Sequence, residues 1–171
     1  MTMTATSPDF SDNALIKESI MQFPFTIFTD SPEATEHVGV ELAELMLGDS
    51  SLPKFIALYG DLGVGKTAFV RGFTSAVTPG ARVKSPTFAL VNEYRIKGGK
   101  NPPVFHFDMY RIGDEDELYS IGFYDYLENG ICLVEWSENI EYALPDERFS
   151  VTIEKCSIDE PDKRKITLVR Q

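Results

Sequence analysis

The stretch Phe55-Ile56-Ala57-Leu58-Tyr59-Gly60-Asp61-Leu62-Gly63-Val64-Gly65-Lys66-Thr67 decides how this chain is read. Its first five residues are an apolar run that predicts a short buried strand. The remaining eight spell G-x-x-x-x-G-K-[ST], a phosphate-binding loop. Ala68, Phe69, Val70 and Phe73 then predict a helix opening from the loop. Gly60, Gly63 and Gly65 have no Cβ, so the backbone is free to take left-handed angles and wrap closely around an anion. The N–H groups of the loop and of the helix N-terminus would point inward at a phosphate. Lys66 would reach the β- and γ-phosphates, and the Thr67 hydroxyl would bind magnesium. With strand, loop and helix in register, Gly60, Asp61, Leu62, Gly63, Val64, Gly65, Lys66, Thr67 and Ala68 are the expected nucleotide contacts.

At 171 residues the chain is long enough for one domain with a substantial core. An apolar fraction of 43% and a mean hydropathy of −0.15 are ordinary for a soluble globular protein. No apolar stretch approaches the roughly 18–20 residues that span a bilayer. The Thr- and Ser-rich beginning, Met1 to Asp12, has no positive charge ahead of an apolar run and does not read as a secretory signal. Cys132 and Cys156 lack C-x-x-C spacing and read as buried, reduced thiols of a cytoplasmic protein. Sixteen Lys and Arg against 27 Asp and Glu leave a net charge of −11. So acidic a chain repels a polyphosphate backbone, and any role near RNA would need a partner to supply the basic surface.

Residues 1–21 lack a sustained period and read as a flexible tail with a helical turn, leaving residues 22–171 as the folded domain. Phe23 to Phe28 reads as a strand. Ser31-Pro32 supplies an N-cap and first-turn proline for a helix with Ala34, Val38, Leu42, Leu45 and Met46 on one face, stopped at Gly48. The alternation from Phe88 to Ile96 predicts a half-buried strand, joined through Lys97 to Pro102 to a strand over Val104 to Asp108. Two short helical pieces, Asp114 to Tyr119 and Phe123 to Glu128, are expected to break at Gly122. A buried strand follows at Ile131 to Val134. Phe149 to Lys155 and Lys165 to Arg170 read as closing strands. The fold class is α/β: a phosphate-loop domain with a mostly parallel central sheet, added antiparallel strands and flanking helices.

Two strands end on acids. Ile131 to Val134 runs into Glu135-Trp136, and a second strand beside a phosphate loop commonly ends in an acid that holds magnesium or its water. Glu135 is therefore preferred for magnesium. Asp108, ending His106-Phe107-Asp108, competes for that role or orders the attacking water. Arg111 either neutralises phosphate charge or pairs with an acid of Asp114 to Glu117, a run suited to a helix start. His106 reads as a packed core histidine, and Trp136 as core filler, a floor under the site or a partner surface. Ser85-Pro86-Thr87-Phe88 stands where a γ-phosphate sensor would stand, with Thr87 able to reach the metal or phosphate, and equally reads as a turn before a strand.

Taken together and in order, G-D-L-G-V-G-K-T (60–67), S-P-T-F (85–88), H-F-D-M-Y-R (106–111) and L-V-E-W (133–136) resemble the TsaE (YjeE) family. The resemblance runs from about Phe25 to Arg170, with Glu117-Leu118 and Gly122 also in keeping. Trp136-Ser137 departs from the Trp-Pro frequent in the family. The resemblance implies an ATPase that uses ATP with Mg2+ and has no separate lid. Thr67 and Glu135 would be metal ligands, Lys66 and Asp108 would serve turnover, and Thr87 would lie in a switch-like segment. Arg164 matches an expected basic residue near the nucleotide. It further implies an accessory role in placing threonylcarbamoyl on adenosine 37 of tRNAs reading ANN codons, through docking on a TsaB–TsaD transferase.

Two other classes carry a phosphate loop. A small-molecule kinase wants an Arg-rich lid, yet Arg111 is the one arginine between Asp108 and Ile131. A regulatory GTPase usually reads guanine through N-K-x-D, and no such run occurs.

Overall fold

In a computed structural model of the chain, which describes residues 23–171, strand β2 (Phe55–Tyr59) lies at the centre of a seven-stranded sheet. The other strands are β1 (Phe25–Thr29), β3 (Val91–Tyr94), β4 (Val104–Asp108), β5 (Ile131–Glu135), β6 (Phe149–Lys155) and β7 (Arg164–Arg170). The helices are α1 (Pro32–Gly48), α2 (Lys66–Val77), α3 (Glu115–Ser120) and α4 (Phe123–Asn129), with a 3-10 segment at Ser137–Ala143. The spatial order is β1-β7-β6-β2-β5-β4-β3. β6, β2, β5 and β4 pair in parallel, and β3 at one edge and β7-β1 at the other are added antiparallel. The expected α/β class holds, with its parallel part confined to the four middle strands.

β2, β4 and β5 are buried along nearly their whole length because both of their faces are covered, whereas β6 alternates buried and half-buried residues before its exposed end. Ile56 and Leu58 of β2 and Leu133 of β5 belong to the core beneath α1 and α2. Phe55, Ala57, Cys132 and Val134 point to the opposite core, with Phe105, Phe107, Leu118 and Phe123. Successive residues of a strand alternate faces. His106 and Asp108 on β4, and Glu135 on β5, therefore fall on the α2 side. The parallel strands also end at one edge of the sheet, where Leu58 pairs with Glu135 and Glu135 with Asp108.

The α1 start is built as expected: the Ser31 hydroxyl accepts from the Ala34 N–H at 3.1 Å, and Pro32 opens the helix. α1 and α2 cross closely through two glycines. A Cβ on Gly72 would stand 1.8 Å from the Glu36 carbonyl oxygen, and one on Gly39 would stand 2.3 Å from that of Phe69. Asp114 caps α3 by accepting from the Glu117 N–H at 3.0 Å, and Gly122, at φ +72°, separates α3 from α4.

Several expectations are corrected. The strand expected from Phe88 to Ile96 is only Val91–Tyr94. Leu90 N–H bonds back to the Pro86 carbonyl at 2.9 Å with Leu90 at φ +63°, so the Ser-Pro turn takes over the first half of the alternating run. Phe88 is consequently 89% exposed. Cys132 is buried but Cys156 is exposed, because it follows the last residue of β6 in a turn. The strands β1 and β7 shift by one or two residues from their expected limits. The tail expected over residues 1–21 lies outside the described residues.

Candidate functional site

Gly60 leaves β2 at φ +131°, where a Cβ would also meet the Ile153 carbonyl oxygen at 2.3 Å, so only glycine lets the chain turn against β6. Gly65, at φ +113°, is the residue from which α2 starts. The loop between them encloses the Lys66 ammonium, which donates to the Gly60 carbonyl and, at 3.0 Å, to that of Asp61. The ammonium also stands 3.9 Å from the centre of the Trp136 ring, within cation–π range. Trp136 sits at φ +60° and packs against Tyr110 in a tilted arrangement, with 4.8 Å between ring centres. Burial draws the Lys66 pKa below the ordinary lysine value, and the charges of Glu135, Glu138, Asp108 and Asp61 oppose that. The ammonium is thus partly desolvated and held among acceptors, which suits it to an incoming anion.

Thr67, the next residue, donates its hydroxyl to Glu135 Oε1 at 2.8 Å. Asp108, Glu135's register partner, makes different contacts: Oδ1 accepts from the Tyr110 N–H at 3.0 Å and Oδ2 from the Ser85 hydroxyl at 3.4 Å. The two acids end neighbouring strands but are held by different parts of the chain. Ser85 and Thr87 hydroxyls lie 3.1 Å apart, so Thr87 is linked to Asp108 through Ser85. Arg164 reaches the loop from β7: its Nε donates to the Val64 carbonyl at 2.6 Å. Arg111 lies 5.4 Å from the Phe88 ring centre, and Arg71 pairs with Glu36.

Most of these groups border one cleft of about 620 Å³, whose wall also includes Ser31, Pro32 and Thr35 from the start of α1. Leu62, Gly63, Val64, Gly65, Lys66, Thr67, Ala68, Thr87, Asp108, Glu135 and Arg164 all line it. Gly60 and Asp61 do not line it but contribute the carbonyls that hold Lys66. The Thr67 hydroxyl and Glu135 carboxylate are hard oxygen donors of the kind magnesium takes, in a pair that leaves room for phosphate oxygens and water. Among the described residues no group of three or more His, Cys, Asp or Glu could hold a metal. A metal in this cleft would thus be shared with a bound anion, and the donor set fits magnesium on those terms.

The expectation that His106 is a packed core histidine holds. His106 is fully buried, yet its Nε2 lies 2.8 Å from Glu135 Oε1. The two-residue spacing from Asp108 was the available signal, since it sets both on one face of β4. The Ser85 contact to Asp108 had no local signal, because 23 residues separate them.

A family model described as "Threonylcarbamoyl adenosine biosynthesis protein TsaE" matches residues 29–166. The chain is 40% identical to a tRNA threonylcarbamoyladenosine biosynthesis protein TsaE of Haemophilus influenzae, covering 78% of this chain and 81% of that one. It is 36% identical to the protein of the same description from Aquifex aeolicus, covering 85% and 96%. The crystal structure of Bacillus subtilis YdiB superposes with a TM-score of 0.61 at 32% identity, over 85% of this chain and 84% of that one. With the cleft, the four motifs around it and a match spanning most of its length, this chain belongs to the TsaE family.

Proposed function

We propose that the chain is a magnesium-dependent ATPase of the cytoplasm that serves tRNA threonylcarbamoyladenosine formation by acting on a TsaB–TsaD type transferase. The observation that carries this is the hydrogen bond from Thr67 to Glu135 beneath a complete phosphate loop, in a chain whose relatives are named for that pathway. Loop N–H groups and the α2 N-terminus would cradle the phosphates, and Lys66 would leave its carbonyl contacts for the terminal phosphate oxygens. Thr67, donating its hydroxyl hydrogen bond to Glu135, would keep lone pairs for the metal. Magnesium, which Thr67 and Glu135 would hold, would supply neutralisation of the phosphate charge. Asp108 would accept from the attacking water and hold it in line, while Arg164 would steady the loop near the nucleotide. Thr87 would report whether the γ-phosphate is present. The exposed side chains of Leu62, which lines the cleft, and of Phe88, next to cleft-lining Thr87, support a partner that covers it.

The test is release of free phosphate from ATP with magnesium, first by the isolated chain and then with the transferase pair. Slow release alone and a clear rise with the pair are expected, because small phosphate-loop proteins often obtain a neutralising contact from a partner. Phosphate appearing on a metabolite would mean a kinase instead. Full-speed turnover unmoved by the pair would remove the accessory role. Partner affinity followed by calorimetry should favour the ATP-loaded form, and Thr87→Ala should abolish the difference between ATP and ADP while binding both.

A further inference from the structure

His106 has no part in the chemistry proposed above, yet it touches the group at its centre. Three elements meet at a single oxygen: Glu135 Oε1 on β5 accepts the Thr67 hydroxyl from α2 at 2.8 Å and lies 2.8 Å from His106 Nε2 on β4. A carboxylate oxygen accepts, so the imidazole nitrogen facing it carries the proton. His106 Nδ1 is buried without a hydrogen-bond partner. A proton there would be an orphaned donor, so of the two tautomers the one protonated at Nε2 costs least. An apolar side chain could fill this core position and leave no bare nitrogen. What imidazole adds is one directed donor, aimed at Glu135.

We infer that His106 is a positioning residue for the metal group: its Nε2–H anchors Oε1 of Glu135, sets how the carboxylate meets Thr67, and leaves Oε2 for the cleft. Thr67 alone would give the carboxylate one anchor, about which it could still swing. The second anchor comes from a strand that does not itself border the loop, so the carboxylate is oriented before any ligand arrives. Groups that orient a metal's ligands in this way typically change affinity by about 10–100-fold when removed. The inference rests on the reading of Thr67 and Glu135 as the magnesium group.

The experiment is ADP binding by calorimetry across a magnesium titration and in excess chelator, for the parent, H106M and H106Q. Met removes the donor at similar volume, whereas the Gln amide can offer an N–H to the same oxygen. For H106M, half-saturating magnesium should rise about 10–100-fold while chelator-condition affinity stays within about twofold, and H106Q should recover most of the loss. A parent-like magnesium requirement in H106M would overturn the inference. So would an H106Q as defective as H106M, or equal losses with and without magnesium. A parent with no magnesium dependence would instead bring down the metal reading itself. Should H106M not fold, the parent still decides: nitrogen NMR of the imidazole should show His106 protonated at Nε2, with a slowly exchanging proton that is lost in Glu135→Ala. Protonation at Nδ1 would overturn it.

Discussion

The phosphate loop and the Ser85–Leu90 segment face the same cleft and are built in opposite ways. The loop is closed on itself and on the sheet: Lys66 bonds to two of its carbonyls, Arg164 to a third, and Gly60 is packed against β6. The opposing segment is a turn whose Phe88 is nearly fully exposed and whose hydroxyls line the cleft but are tied to the sheet through the bond from Ser85 to Asp108. The acids follow the same division. Glu135 is joined to α2 and β4, whereas Asp108 is joined to the turn. The difference teaches that one wall is prepared to hold a ligand and the other is free to respond to it, since segments with few buried contacts open at least cost.

The strongest way to break this comparison is at Lys66. Lys66→Ala should lose about 2–4 kcal/mol of transition-state stabilisation, a fall of orders of magnitude in ATP hydrolysis, with the fold intact by circular dichroism. Hydrolysis at the parent rate would mean that the loop is not the site.

A second comparison sets stability on the two walls side by side in denaturant. Gly60→Ala should cost about 3 kcal/mol, because the new Cβ meets the Ile153 carbonyl in a left-handed conformation. Ser85→Ala should cost less than about 1 kcal/mol, since its contact to Asp108 is long and partly exposed. Equal costs would erase the distinction between the walls.

The acids sharpen it further. Glu135→Ala should weaken nucleotide binding about tenfold or more with magnesium and little without it. Asp108→Asn should leave affinity nearly unchanged and lower turnover. Identical magnesium titrations for Glu135→Ala and the parent would move the metal to the other acid.

The smallest effect concerns β5 itself. Burial pushes the Cys132 thiol up to about 12, so it stays protonated, and unreactive, throughout the neutral range. Cys156 is exposed. At pH 8 a thiol reagent should modify Cys156 promptly and Cys132 only after denaturation. Prompt reaction of both would show that the strand carrying Glu135 is less firmly held than the loop wall requires.

Much of the site was legible in sequence because its parts are local. The glycines and Lys66 carry their own spacing, an apolar run ending in an acid announces a strand tip, and Ser31-Pro32 announces a helix start. The alternation from Phe88 misled because a two-residue period is also satisfied by a turn running into a short strand, and only the bond from Leu90 to Pro86 separates the two. Arg164 was reached through the family resemblance, and its contact with Val64 spans 100 residues.

By itself the sequence determined the strand–loop–helix unit, the acids that end two strands, the acidic surface and the α/β class, since each follows from neighbours along the chain. Tertiary structure alone decided which acid meets Thr67. That choice depends on β5 lying between β2 and β4, which sets Glu135 level with both Leu58 and Asp108. Strand order is a matter of long-range pairing and crossover, and no local periodicity encodes it. The same insertion brings His106 within reach of Glu135, turning a core histidine into the anchor of a carboxylate.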